Sequence, residues 1–127
     1  MICYFSATGN CKHVAETIAV AAKDSAVSIE GLDPGALKGE SVFGLVSPVY
    51  FWGLPTIVER FLKQVRMDDC RYSFFVATYG TTPGYSGKQA AMILREDHIG
   101  LDASFSIKMP DTWTPMFDLS DPEFVAE

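Results

Sequence analysis

The sequence is short of positive charge. Ten Lys and Arg stand against sixteen Asp and Glu, a net charge of −6, and the pI is near 4.8. Binding a phosphate backbone needs a positive face, so no nucleic-acid partner is expected. A partner carrying a basic patch fits better, because opposite fields speed encounter. Cysteine is scarce: Cys3, Cys11 and Cys70 are odd in number and form no CxxC pair or Cys/His cluster with metal spacing. Reduced thiols in a cytoplasmic protein are the simplest reading. No basic stretch followed by an apolar one opens the chain in the manner of a signal peptide. No apolar run approaches the ~20 residues of a membrane span, so no membrane partner is expected.

What is present is the material of one domain of 127 residues, 48% hydrophobic and rich in aromatics at 13%. Residues 1–5 (Met-Ile-Cys-Tyr-Phe) read as a buried strand. From about Asn10 the period becomes helical, with Val14, Ile18 and Ala21 or Ala22 on one face. Residues 26–30 read as a weaker strand, and Asp33-Pro34-Gly35 as a turn leading to a short helical turn. Residues 41–47 read as a third strand closed by Pro48. A helix over 55–66 follows, with Pro55 in its first turn and a stripe of Ile57, Phe61 and Leu62, or of Val58, Phe61 and Val65. Residues 72–79 are a fourth strand. Residues 86–97 are a helix with Ala90, Ile93 and Leu94 inward, and 101–109 alternate as an edge strand half open to water. Strands separated by helices give an α/β protein with a parallel sheet wound on both faces.

The tail reads differently. Pro110, Pro115 and Pro122 break structure, then Ser120-Asp121-Pro122-Glu123 has the form of a helix start with few residues after it. A doubly wound sheet needs a covering helix about here, so the expectation is a C-terminal helix truncated from a longer protein. The domain is expected over 1–109, with 110–127 an irregular tail and the start of a further helix.

In such a sheet ligands bind beyond the carboxyl ends of the strands. The first loop there, Ser6-Ala7-Thr8-Gly9-Asn10-Cys11-Lys12, enters a helix N-terminus. Unpaired backbone N–H groups and the helix dipole favour an anion at that place. Ser6 and Thr8 add hydroxyls, Gly9 permits close approach, and Asn10 can cap the helix. A phosphate loop and a plain strand–helix turn both satisfy this pattern. The second loop, Pro48-Val49-Tyr50-Phe51-Trp52-Gly53-Leu54-Pro55, sets three adjacent rings between prolines. Three neighbouring rings do not all enter one core, so they form a wall for a planar ligand, an anchor for the next helix, or a protein-contact patch. The third loop, Thr78-Tyr79-Gly80 through Gly87, offers glycines and hydroxyls that suit a ligand edge or an ordinary loop.

Rival phosphate motifs fail by letter. Thr82–Gln89 lacks the first Gly and the last Ser/Thr of GxxxxGK[ST], and no GxGxxG follows the first strand. Neither Cys3 nor Cys11 precedes an Arg at the spacing of a phosphatase loop.

Together the three loops resemble those of the flavodoxins. Ser6-Ala7-Thr8-Gly9-Asn10 resembles the flavodoxin phosphate loop, Pro48–Gly53 the second flavin loop, and Thr78-Tyr79-Gly80 the third. The resemblance implies a five-stranded parallel sheet of order 2-1-3-4-5 and a non-covalent flavin mononucleotide (FMN). Its binding residues would be Ser6, Ala7, Thr8, Gly9, Asn10, Cys11, Pro48, Val49, Tyr50, Phe51, Trp52, Gly53, Thr78, Tyr79 and Gly80. The Pro-Val-Tyr-x-x-Gly-x-Pro loop and Met109-Pro110-Asp111-x-Trp113-x-Pro115 are similar to flavodoxin domains fused to a four-iron ferredoxin module. No iron–sulfur cysteine run occurs in this chain.

The resemblance implies an electron carrier whose chemistry the cofactor supplies. Backbone of 49–53 would lie near flavin N5, with Gly53 or its neighbours changing peptide orientation on reduction. Tyr50 or Trp52 would stack on the ring, and the Thr78–Gly80 backbone would face the pyrimidine edge. The acidic protein would disfavour an anionic reduced flavin. Trp113 would cover the ring or anchor the tail. The expected partner is a redox protein or a fused ferredoxin module, and a homodimer in truncated form. Two other functions stay open: an FMN-dependent quinone or flavin reductase, and a flavodoxin-like module without flavin. The last arises because Cys11 stands where the family usually has Ser or Thr, and a thiol is the weaker donor; Lys12 is a candidate to compensate. Beside a helix N-terminus Cys11 also fits a lowered thiol pKa and ready oxidation. His13 and His98 read as solvent-facing and not catalytic.

Overall fold

The computed structural model describes residues 1–5, 10–49, 53–68, 70–79, 84–96 and 99–108. Five strands run β1 (Ile2–Tyr4), β2 (Ala26–Ser28), β3 (Val42–Pro48), β4 (Tyr72–Tyr79) and β5 (Ala103–Lys108). Between them lie α1 (Asn10–Ala22), a single 3-10 turn (Pro34–Leu37), α2 (Thr56–Gln64) and α3 (Ser86–Glu96). Every pairing is parallel and the order is β2-β1-β3-β4-β5.

The sheet is buried on both faces, and residue alternation assigns each side chain to one of them. Phe43, Leu45, Phe75 and Ala77 pack beneath α2 and α3, against Val58, Phe61, Leu62, Ala90, Ile93 and Leu94. Ile2, Val46, Phe74, Val76 and Ile107 form the other face, with Cys11, Val14, Ala15 and Ala19 of α1. Near-continuous apolar runs in β3 and β4 are what doubly covered central strands require. The edge strands β2 and β5 are only half buried apart from Ile107. Gly44 of β3 sits opposite Phe74 of β4, and a methyl group there would fall well inside van der Waals contact with the Phe74 ring.

Details of helix orientation differ from the sequence reading. The inner stripe of α1 is Cys11, Val14, Ala15 and Ala19, while Ala21 and Ala22 are exposed. The helix stops where Lys23 turns left-handed at φ 56°, and the Asp24 N–H returns to the Ala19 carbonyl. On α2 the second stripe is the buried one, joined by Leu62, and Ile57 is exposed. Pro55 stands just before the first turn of α2 instead of within it.

The lower, N-terminal edge of the sheet is tied by charge and caps. The Met1 ammonium donates to Glu40 Oε1 at 2.7 Å, to Asp24 Oδ2 at 3.0 Å and to the Val42 carbonyl at 2.8 Å. Asp102 Oδ2 accepts the Ser73 N–H at 2.8 Å at the start of β4. No described helix is long and apolar enough to cross a membrane. The expected tail, 110–127, and its truncated helix lie outside the described residues.

Candidate functional site

The upper edge is set by three adjacent strands. β1 ends at Tyr4, β3 at Pro48 and β4 at Tyr79, with Tyr4 in register with Val46 and Pro48 with Thr78. The ladder continues one step beyond β1, where the Phe5 N–H donates to the Val46 carbonyl at 3.1 Å. The three expected loops therefore leave neighbouring strand ends, at the edge where α/β sheets bind ligands.

Of the expected binding residues, Ser6, Ala7, Thr8, Gly9, Tyr50, Phe51, Trp52 and Gly80 lie outside the described residues, as does His98. Asn10, Cys11, Pro48, Val49, Gly53, Thr78 and Tyr79 lie within them. Asn10 opens α1, whose first turn holds no acidic residue to oppose an anion. Lys12, in the same turn, is exposed.

Cys11 and Thr78 meet directly. Cys11 Sγ and Thr78 Oγ1 are 3.1 Å apart in a buried hydrogen bond that spans 67 residues of sequence. Cys11 is 2% exposed and Thr78 5%. Burial pushes the Cys11 thiol up to about 12, and the Thr78 hydrogen bond offsets this only in part. This corrects the expectation of a lowered pKa and easy oxidation. The helix N-terminus favours a thiolate, but packing α1 onto the sheet removes the water that a thiolate needs.

Val49 and Tyr79 turn their side chains into the fold: Val49 packs on the core beneath α2 and α3, and Tyr79 is nearly buried. The Ser47 hydroxyl, fully buried, donates to the Pro48 carbonyl at 2.9 Å. His13 is half-buried on α1, only partly open to solvent.

One contact was not foreseen from the sequence. Gln89 Oε1, in the first turn of α3, accepts the Leu54 N–H at 3.0 Å, just after Gly53. The only local signal was Ser86-Gly87-Lys88-Gln89, which has the spacing of a capping box and would fold Gln89 back onto its own helix. The described residues also form a cavity of about 390 Å³ lined by Ala91, Arg95, Ile99, Gly100 and Leu101. It lies where the chain leaves α3 for β5, at the opposite edge from the loops. No cluster of metal-ligating side chains occurs among the described residues.

No protein-family model and no curated protein sequence matches the chain. Solved structures do. A flavodoxin from the domain Archaea superimposes with a TM-score of 0.67 at 19% identity, over 87% of this chain and 84% of that one. The two-electron reduced flavodoxin of Megasphaera elsdenii gives 0.70 at 20% identity, over 96% and 90%. The Flv1 flavodiiron core of Synechocystis sp. PCC6803 gives 0.64 at 17% identity, over 87% of this chain but 30% of its own length. The likeness is one of fold: this chain is a flavodoxin-like doubly wound α/β domain.

Proposed function

We propose that the chain is an FMN-binding electron-transfer domain. The observation that carries this reading is that β1, β3 and β4, the strands from which the expected loops leave, end side by side, with Cys11 of the first loop bonded to Thr78 at the start of the third. Two features of the described residues support the group. The α1 N-terminus has no competing carboxylate in its first turn, and a buried hydrogen bond ties that helix to the strand that leads into the third loop.

Ser6 to Asn10 and the α1 amides would hold the phosphate. Tyr50 to Gly53 would form the ring-side wall, and the Thr78–Gly80 backbone the pyrimidine edge. The flavin supplies reversible electron uptake when bound. The chain's own part is to bind it, exclude water from its buried side, and set its potentials. A net charge of −6 opposes further negative charge at the site and favours a redox partner with a basic docking face. A partner domain of ferredoxin type and a cytoplasmic setting belong to the same proposal.

One observation favours a second reading, a flavodoxin-like module without flavin. Cys11 turns its sulfur inward to Thr78, where the resemblance leads one to expect a hydroxyl facing phosphate. Reconstitution separates the readings. FMN is added, excess is removed, and the spectrum is recorded before and during photoreduction. Retained flavin bands with stepwise one-electron uptake support the carrier. Direct two-electron oxidation of NAD(P)H would indicate a reductase, and the absence of retained flavin would leave the flavin-free module.

A further inference from the structure

The Leu54 N–H is the last backbone donor before α2, because Pro55 has none and caps the helix without a side-chain hydrogen bond. Leu54 is 7% exposed, so its N–H needs a partner inside the fold. The partner comes from 35 residues away: the side-chain carbonyl of Gln89, at 3.0 Å. Only that end of the amide can accept. The acceptor stands on a rigid support, because Ser86 and Ala90 of the same turn are fully buried.

The bonded N–H belongs to the Gly53–Leu54 peptide. A planar trans peptide points its carbonyl opposite its N–H. Holding the Leu54 N–H toward α3 therefore directs the Gly53 carbonyl away from α3, and the peptide cannot turn over without breaking the Gln89 contact. Resting on the flavin-binding reading, we infer that Gln89 is a positioning residue for the second loop: through the Leu54 N–H it fixes the orientation of the Gly53–Leu54 peptide, where the ring-side wall joins the fold. It touches no reacting atom and acts through the backbone. With Thr78 at the start of the third loop and Gln89 just after its end, the two ends of that loop anchor Cys11 of the first loop and Leu54 of the second.

The test is site-resolved amide hydrogen exchange on the full chain, for wild type, Gln89→Leu and Gln89→Glu, without flavin and then with FMN or riboflavin. Removing the acceptor should speed Leu54 amide exchange about tenfold, while Ile93 and Leu94 amides in α3 stay protected. Gln89→Glu keeps an acceptor oxygen and should restore protection. With ligand, Gln89→Leu should weaken FMN and riboflavin by the same factor, because the contact serves the ring side and not the phosphate, and Gln89→Glu should recover both. Unchanged Leu54 exchange in Gln89→Leu overturns the inference, as does a loss that Gln89→Glu fails to recover. Should Gln89→Leu not fold, Gln89→Ala reads the same bond. If wild type binds neither flavin, the carrier reading falls and takes the ring-positioning role with it, even with the exchange result intact. The two failures are distinct because the exchange signal needs no flavin.

Discussion

The Cys11–Thr78 contact makes a quantitative prediction that needs no cofactor. Both side chains are almost wholly buried and 3.1 Å apart. Thr78→Val removes the hydroxyl at nearly constant shape and leaves behind a thiol, a weak hydrogen-bonding group that suffers little from losing its partner. The expected loss is about 1 kcal/mol, the ordinary net value of a hydrogen bond. Cys11→Ala does more harm, because it strands the buried Thr78 hydroxyl and opens a small void; about 2 kcal/mol is expected from the desolvation cost alone. The double variant has no stranded hydroxyl, so it should be more stable than the two single losses predict, by a coupling of about 1 kcal/mol. Urea denaturation of the four proteins gives these values directly, provided the slopes agree. Additivity within about 0.3 kcal/mol would refute the claim that the two elements are tied through these side chains.

Other predictions follow from the same structure. Burial pushes Cys3 and Cys11 up to about 12 and raises Cys70 as well, but Cys70 alone is partly exposed, so a disulfide reagent at neutral pH should titrate one thiol in the native protein and three in denaturant. Gly44→Ala should destabilise by about 1–3 kcal/mol, because the new methyl group displaces the Phe74 ring; little change in the denaturation midpoint would contradict the close approach. Burial by itself lowers the Met1 ammonium pKa, but hydrogen bonds to Glu40 and Asp24 outweigh it and raise the pKa above 8.0. A raised folded pKa means that this stabilisation is complete below pH 8 and fades as pH rises through the folded value. Glu40→Gln should therefore cost stability at pH 7, by at most about 1 kcal/mol for a partly exposed pair, and progressively less as pH rises through the folded value; a cost that grows with alkalinity would contradict the assignment.

Much of the fold was legible because parallel strands and amphipathic helices carry strong periods. β4 matches the expected span, and the inward set of α3 was read correctly. The errors fall where the period is ambiguous. Alanine carries almost no directional signal, so the inner face of α1 shifted from Ala21 or Ala22 to Ala15 and Ala19. The two overlapping stripes of α2 share Phe61, and only packing on the sheet decides that Val58 is inside and Ile57 outside. Of the candidate site, the adjacent strand ends from which its three loops leave were legible. Its internal ties were not. Cys11–Thr78 and Leu54–Gln89 join residues 67 and 35 positions apart, and no local pattern encodes such a pair. The thiol pKa failed for the same reason, since the helix terminus is visible in the sequence and the burial is not.

The central claim, that these loops hold FMN by its phosphate and its ring, is tested most directly by equilibrium titration of the flavin-free chain with FMN and with riboflavin, for wild type and Thr8→Ala. The account predicts that wild type binds both and prefers FMN, and that Thr8→Ala loses most of that preference with little change in the urea midpoint. Binding of neither flavin by a folded wild-type chain, or a Thr8→Ala variant that unfolds more readily yet keeps the full preference for FMN, would contradict it.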